Sequence, residues 1–269
     1  MRRWVAGALA AELILAAAVI LGLPRIQSAA TGAPLLAAGR SVRLVNLGGS
    51  VTEPLLGRIT TNLGPAVDAV QSFWGADWPR DITVVVTGTE RQFRAQAGGG
   101  SAAQWADIAA VTVADRLDPV RRVAAGQRVV FAPGAATMSD SALRIVLSHE
   151  LFHYAARADT ARDASRWLTE GVADFVARPP AGLPARTPLP TALPSDVDLD
   201  APGPQRSLAY DRAWWFARFV AERYGPTTLR AFYRAACGVG HADLPTAVRN
   251  VLDTDMPGLL ARWQQWLTG

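Results

Sequence analysis

Residues 149–153, His149-Glu150-Leu151-Phe152-His153, constrain this chain more than any other stretch. In a helix, positions i and i+4 lie on one face, so this spacing aims both imidazoles at one metal ion when the segment is helical. Glu150 falls one position round from His149, within reach of a water held near the two rings. The chain has only three histidines, and two of them sit here. A helix with two hydrogen-bonded histidines and no metal is the alternative, so the flanking sequence has to discriminate.

The flanks favour a helix. Thr137 is the expected N-cap, with Asp140 three residues on in a capping-box position. Leu143, Val146, Leu147, Leu151 and Tyr154 continue a helical period through the motif. A catalytic zinc site takes three protein ligands and keeps one open position, which calls for a third ligand. Asp159, ten residues after His149, is one candidate, in a metzincin-like arrangement. That arrangement needs a sharp turn three residues past the second histidine, normally at glycine, where this chain has Ala156. It also needs a downstream methionine turn, and Met256 reads as core instead.

The stronger candidate is Glu170, in Trp167-Leu168-Thr169-Glu170-Gly171-Val172-Ala173-Asp174-Phe175. This segment reads as a second helix, starting near Asp163 and stopped by Pro179-Pro180. Glu170 and Asp174 are i and i+4, so their carboxylates face the same way. Glu170 would complete a two-histidine, one-glutamate ligand set. Asp174 could accept the free ring N–H of a ligating histidine, which fixes its tautomer. A solvated helix face is the plain alternative, and like-charge repulsion at this spacing opposes it. Gly171 costs about 1 kcal/mol against alanine inside a helix, which points to close packing on a neighbour.

HELFH, separated by sixteen residues from the glutamate of WLTEGVADF, resembles the gluzincin metallopeptidases, particularly the peptidase MA-like group of exported bacterial proteins. The resemblance spans residues 51–235 and is specific over 140–178. It implies a zincin-like fold, Zn2+ held by His149, His153 and Glu170, Glu150 as general base, and Asp174 behind His149. It also implies a peptide or protein substrate. Tyr210, at the start of a helix expected over 208–224, matches the place from which gluzincins stabilise an oxyanion. A buried structural tyrosine is its other reading.

The N-terminus adds a location. Arg2 and Arg3 precede a 19-residue apolar run over 5–23, interrupted by Glu12. A basic start before such a run marks a signal peptide or an uncleaved membrane anchor. The run nearly reaches the length of a span, its many alanines and Glu12 count against an anchor, and the small residues Ser28, Ala29 and Ala30 offer a cleavage site, so both readings stay open. Either way the body is expected outside the cytoplasmic membrane, anchored or secreted.

Nucleic acid is not an expected partner. The net charge is +4, all 27 basic residues are arginine, and three of them lie in 1–30. No arginine cluster with interleaved aromatics remains beyond that segment. Cys237, the single cysteine, reads as a core residue, and His241 as an exposed loop histidine.

The remaining segments set the architecture. Residues 31–50 read as a Gly/Ala/Pro-rich linker with one short edge strand at most, 53–74 and 89–97 as helices, and 81–86, 108–113 and 128–131 as strands. Residues 178–206 hold eight prolines with Asp196, Asp198 and Asp200. They read as an extended connection, with a calcium site as the alternative. Residues 259–267 read as a final packing helix. The expected fold is α+β: a small N-terminal sheet with helices, the motif helix, then a helical C-terminal half. It forms one catalytic domain over 51–269, after a signal or anchor (1–30) and the linker (31–50).

The expected activity is peptide-bond hydrolysis by a metal-activated water. The alternative is a catalytically silent, zinc-stabilised extracytoplasmic binding module. Retention of Glu150 argues against it, because a structural site has no use for a base and closes its fourth position. A third reading is a membrane-anchored interaction protein without metal.

Overall fold

The computed structural model describes residues 33–101, 105, 108–183, 189–201 and 203–269, so the signal or anchor expected over 1–30 lies outside the described residues. No helix among the described residues is long and apolar enough to cross a membrane. The fold mixes helices with a small sheet, as expected for the α+β class.

Strands β1 (Leu35–Ala37) and β2 (Arg40–Asn46) form a hairpin at one edge of the sheet. Helix α1 (Glu53–Trp74) then crosses over to β3 (Asp81–Val86), which pairs with β2 in parallel. Helix α2 (Glu90–Ala97), capped by the Thr89 side chain, leads towards β4 (Ala110–Val113). A separate small hairpin, β5 (Arg116–Asp118) and β6 (Val123–Ala125), precedes β7 (Arg128–Phe131). The main sheet runs β1-β2-β3-β7-β4, with β3 and β7 parallel and β4 antiparallel at the far edge.

The segment read as a linker therefore contributes two strands, and β2 lies inside the sheet, not at its edge. Its Val42 and Leu44 face one side of the sheet and its Val45 the other, and the strand pairs with a partner distant in sequence, which local composition does not reveal. Period-two alternation sorts the sheet into two faces. Ile82, Val84, Val86, Val129 and Phe131 pack towards α1 and the helices beyond it. Val85, Val111, Val113 and Val130 pack on the other face with Phe93 and Trp105. The same alternation turns Thr112, fully buried, towards the helical face.

The motif helix α3 (Asp140–Ala156) follows a 3-10 turn over Pro133–Thr137. Its N-cap is Ser139, whose hydroxyl accepts from the Ala142 N–H at 3.2 Å. Thr137 does not cap it, because it lies inside the 3-10 turn, two residues before the N-cap position, where its hydroxyl donates to the Gly134 carbonyl. Asp140 instead opens the helix and pairs with Arg58 of α1 at 2.6 Å, tying the two helices together. From Val146 to Ala156 every residue of α3 is buried. A helix enclosed on all sides leaves no solvated face for its polar residues.

Helix α4 (Arg166–Ala177) lies against α3, and α6 (Pro204–Tyr224) lies against α4. Helix α4 starts at Arg166, three residues after the expected Asp163. Asp196, which opens the short helix α5 (Asp196–Leu199), accepts from the Arg166 and Trp167 backbone N–H groups and so fixes that start. The connection over 178–206 thus contains a helix, and its three aspartates serve separate partners. Asp198 bonds the Ser195 hydroxyl and Asp200 pairs with Arg166, so no shared calcium site forms from them. Helix α6 begins at Pro204, before the expected 208, because proline suits a helix first turn. Helices α7 (Pro226–Cys237), α8 (Leu244–Leu252) and α9 (Met256–Thr268) complete the fold, with Cys237 buried.

At Gly171 the backbones of α4 and α6 lie close together. A Cβ built there would stand 2.4 Å from the Ala213 carbonyl oxygen of α6, closer than any tolerable contact. Substituting Gly171→Ala should therefore lower stability by about 1–3 kcal/mol despite alanine's better helix propensity. Chemical denaturation should show a lower midpoint; an unchanged midpoint would mean the helices do not pack this tightly.

Candidate metal centre

Helix α3 delivers His149 and His153 to one point, and α4 brings Glu170 to meet them. His149 Nε2 and His153 Nε2 are 3.0 Å apart. Glu170 Oε2 lies 3.2 Å from His149 Nε2, and its Oε1 lies 3.5 Å from His153 Nε2. All three residues are buried, and their candidate ligand atoms lie within 4.8 Å of one another. A tetrahedral ion with bonds of 2.0–2.1 Å, the values for zinc to nitrogen, separates its ligand atoms by about 3.3 Å. The observed spacings bracket that value. These residues could hold a metal ion, and no other group of three such side chains among the described residues could.

The hydrogen bonds behind the cluster point the same way. His149 Nδ1 lies 2.9 Å from Asp174 Oδ1, and the ring is fully buried. The carboxylate can only accept, so Nδ1 donates, and a neutral His149 turns the lone pair of Nε2 towards Glu170 and His153. In that neutral form three acceptors crowd one buried point, and a cation there, a proton or a metal ion, makes their contacts attractive. Burial alone would lower the His149 pKa, yet the hydrogen bonds and charges of Asp174 and Glu170 outweigh it and push it up to about 10. Burial would also raise the Glu170 pKa, but the facing histidines hold it down at about 2. The site thus favours positive charge among its ligands.

Asp174 is itself held. Arg178 Nη2 lies 2.8 Å from Asp174 Oδ2 as an ion pair without hydrogen-bond alignment. Arg178 also donates to Asp211 at 2.8 Å and sits 4.9 Å from the Trp214 ring centroid. This chain of contacts runs from α6 through α4 to the histidine on α3.

Glu150 is 1% exposed, and the Thr112 hydroxyl lies 2.8 Å from its carboxylate and 2.8 Å from its backbone carbonyl. Burial pushes the Glu150 pKa up, against the opposing pull of His149, His153 and Thr112. A carboxylate with raised basicity beside a metal-ligand cluster is suited to taking a proton from water.

A cavity of about 170 Å³ opens next to the cluster. His153 and Glu170 line it together with Arg157, Thr160, Thr169 and Tyr233. The Thr160 hydroxyl bonds the Ala156 carbonyl at 2.9 Å, which leaves Tyr233 to donate to Thr160 at 2.8 Å.

The structure brings together His149, His153, Glu170 and Asp174, with Glu150 buried on the same helix as the two histidines. Tyr210 is buried on α6, and neither it nor Glu150 is among the residues lining the cavity. Burial, together with the charges of Glu170 and Asp174, raises its pKa, so the phenol stays protonated. Asp159, the metzincin-like alternative, pairs with Arg122 at 2.5 Å and is not part of the cluster. His241 lies 3.4 Å from Asp163 and takes no part either. Sequence patterns did not single out Thr112, Arg157 or the Arg178–Asp211 pair. Thr112 had a signal, as the one polar residue in an apolar strand, and Arg157 another, four residues past His153 on the same face.

Compared with protein-family models and with curated proteins, the chain matches neither. Replacing Asp174→Asn should keep the fold but weaken metal affinity by about 10–100-fold, because the amide loses the carboxylate's charge and can turn a donor NH2 towards His149, so the tautomer is no longer set. Competition with a chromophoric chelator measures this; an unchanged affinity would separate Asp174 from the metal site.

Proposed function

We propose that this protein is an exported zinc-dependent peptidase of zincin-like fold and gluzincin type. The observation that supports it most is the convergence of His149, His153 and Glu170 at tetrahedral ligand spacing, with Glu150 buried next to His149 in the chain. Two imidazoles and one carboxylate are a donor set that suits zinc, and three protein ligands leave a position for water, the pattern of catalytic sites. The basic and apolar N-terminal segment supports export, by signal cleavage or by anchoring through residues 5–23.

When bound, zinc supplies Lewis acidity that lowers the pKa of water and polarises a carbonyl oxygen. The protein residues divide the remaining work. Asp174 holds His149 with Nε2 turned inward. Glu150 takes the proton of the attacking water through its carboxylate, oriented by Thr112, and hands it to the leaving amine nitrogen. The buried, protonated phenol of Tyr210 is a candidate donor to the developing oxyanion. The cavity beside His153 and Glu170 receives substrate, and burial of the cluster keeps bulk water from competing for these contacts.

Glu150→Gln should retain one equivalent of metal and lose activity by about 10²–10⁴-fold, the usual share of a general base. His153→Ala should lose metal and activity together. Digestion of a peptide library followed by mass spectrometry, with metal content from the same samples, distinguishes the two. Undiminished cleavage by Glu150→Gln protein would overturn the reading.

A further inference from the structure

The cavity beside the metal cluster has a charged group for which peptide-bond hydrolysis itself has no use. Arg157, at the C-terminal cap of α3, lines it beside His153 and Glu170. Its Nε is buried without a hydrogen-bond partner. Its one hydrogen bond among the described residues is a long one, from Nη2 to the Thr112 carbonyl at 3.5 Å. A buried guanidinium N–H normally finds an acceptor, and leaving one unmade is costly.

The other charged side chains lining the cavity beyond the metal cluster are paired or exposed to solvent. Arg166 pairs with Asp200 at 2.6 Å and bonds the Asp196 carbonyl. Arg162 donates to the Leu117 carbonyl. Asp115 is paired with Arg128 at 2.7 Å. The Tyr233 hydroxyl is taken up by Thr160. Arg157 is therefore the lining cation with a buried donor to spare, facing small apolar walls that include Ala114, Ala156 and Ala164. At about 170 Å³ the space falls below the roughly 300–1,000 Å³ of sites for drug-sized ligands, and it suits one residue of a longer chain. The planar fork of arginine matches a carboxylate better than any other common group on a peptide.

We propose that Arg157 and this cavity form a carboxylate-binding subsite beside the metal ligands, which takes an acidic side chain or the C-terminal carboxylate of the substrate. The inference rests on the peptidase reading for its substrate class, but carboxylate binding itself requires no turnover. Arg157 is thus a specificity-determining residue, with no part in moving the proton.

Isothermal titration calorimetry on the full chain in the Glu150→Gln background, metal-loaded and metal-stripped, tests this without cleavage of the probes. One probe pair is N-acetyl-trialanine against its C-terminal amide. The other is N-acetyl-Ala-Glu-Ala amide against its Gln counterpart. With Arg157 present, the acid of one pair should bind about 10–100-fold more tightly than its neutral partner, the range for a hydrogen bond to a charged group. The first pair identifies a terminal carboxylate and the second a side chain. Arg157→Gln should reduce the gap to below about threefold. Arg157→Lys, which keeps the charge and loses the fork, should narrow it by at least about threefold and serves where the glutamine variant does not fold.

Equal binding within both pairs, or a gap that survives these substitutions, would overturn the subsite. A gap that survives only in metal-loaded protein would assign the carboxylate to the metal instead, and so overturn it too. Intact discrimination in a protein that cleaves no peptide would leave the subsite standing and remove only the peptidase reading.

Discussion

Everything around the candidate site follows from burying like charges in one helix interface. Glu150, Glu170 and Asp174 are each 1% exposed, and they meet two buried imidazoles between α3 and α4. Isolated buried carboxylates are among the most costly groups a fold can contain, unless positive charge and hydrogen bonds compensate them. Arg178 compensates Asp174 from one side. A divalent cation at the meeting point of His149, His153 and Glu170 would compensate the rest. A layer of acids with no surface role is hard to explain as stability alone, and simple to explain as ligands and a base.

The rest of the fold keeps that layer in place. The sheet presents Thr112 to Glu150 because strand alternation turns it to the helical face. Ser139 caps α3, Arg58 ties its start to α1, and Asp196 caps α4 from a distant segment. Gly171 lets α6 come close behind α4, and that closeness puts Asp211 within reach of Arg178. Each of these contacts fixes the helix pair whose relative position sets the ligand spacing.

The chain's sequence is legible wherever its signals are local. The two histidines and the Glu170/Asp174 pair follow helical periodicity, so both ligand faces can be read from residue spacing, as can α1, β3 and β7. What brings the two helices together is tertiary, and sequence hints at it only through Gly171. The cap falls on Ser139 and not on the expected Thr137, because a 3-10 turn over Pro133–Thr137 delays the start of the helix. Strands β1 and β2 sit in a composition that resembles a linker, and β2 owes its place to pairing with β3. Arg157 and Thr112 have meaning only once the edge strand lies against the motif helix.

The most direct test of the central claim is X-ray absorption at the zinc edge on the full chain loaded with one equivalent of zinc. The account predicts a first shell of about four nitrogen and oxygen neighbours at about 2.0–2.1 Å, with the outer-shell signature of two imidazoles. A six-oxygen shell, a single imidazole, or failure to retain stoichiometric zinc would contradict it.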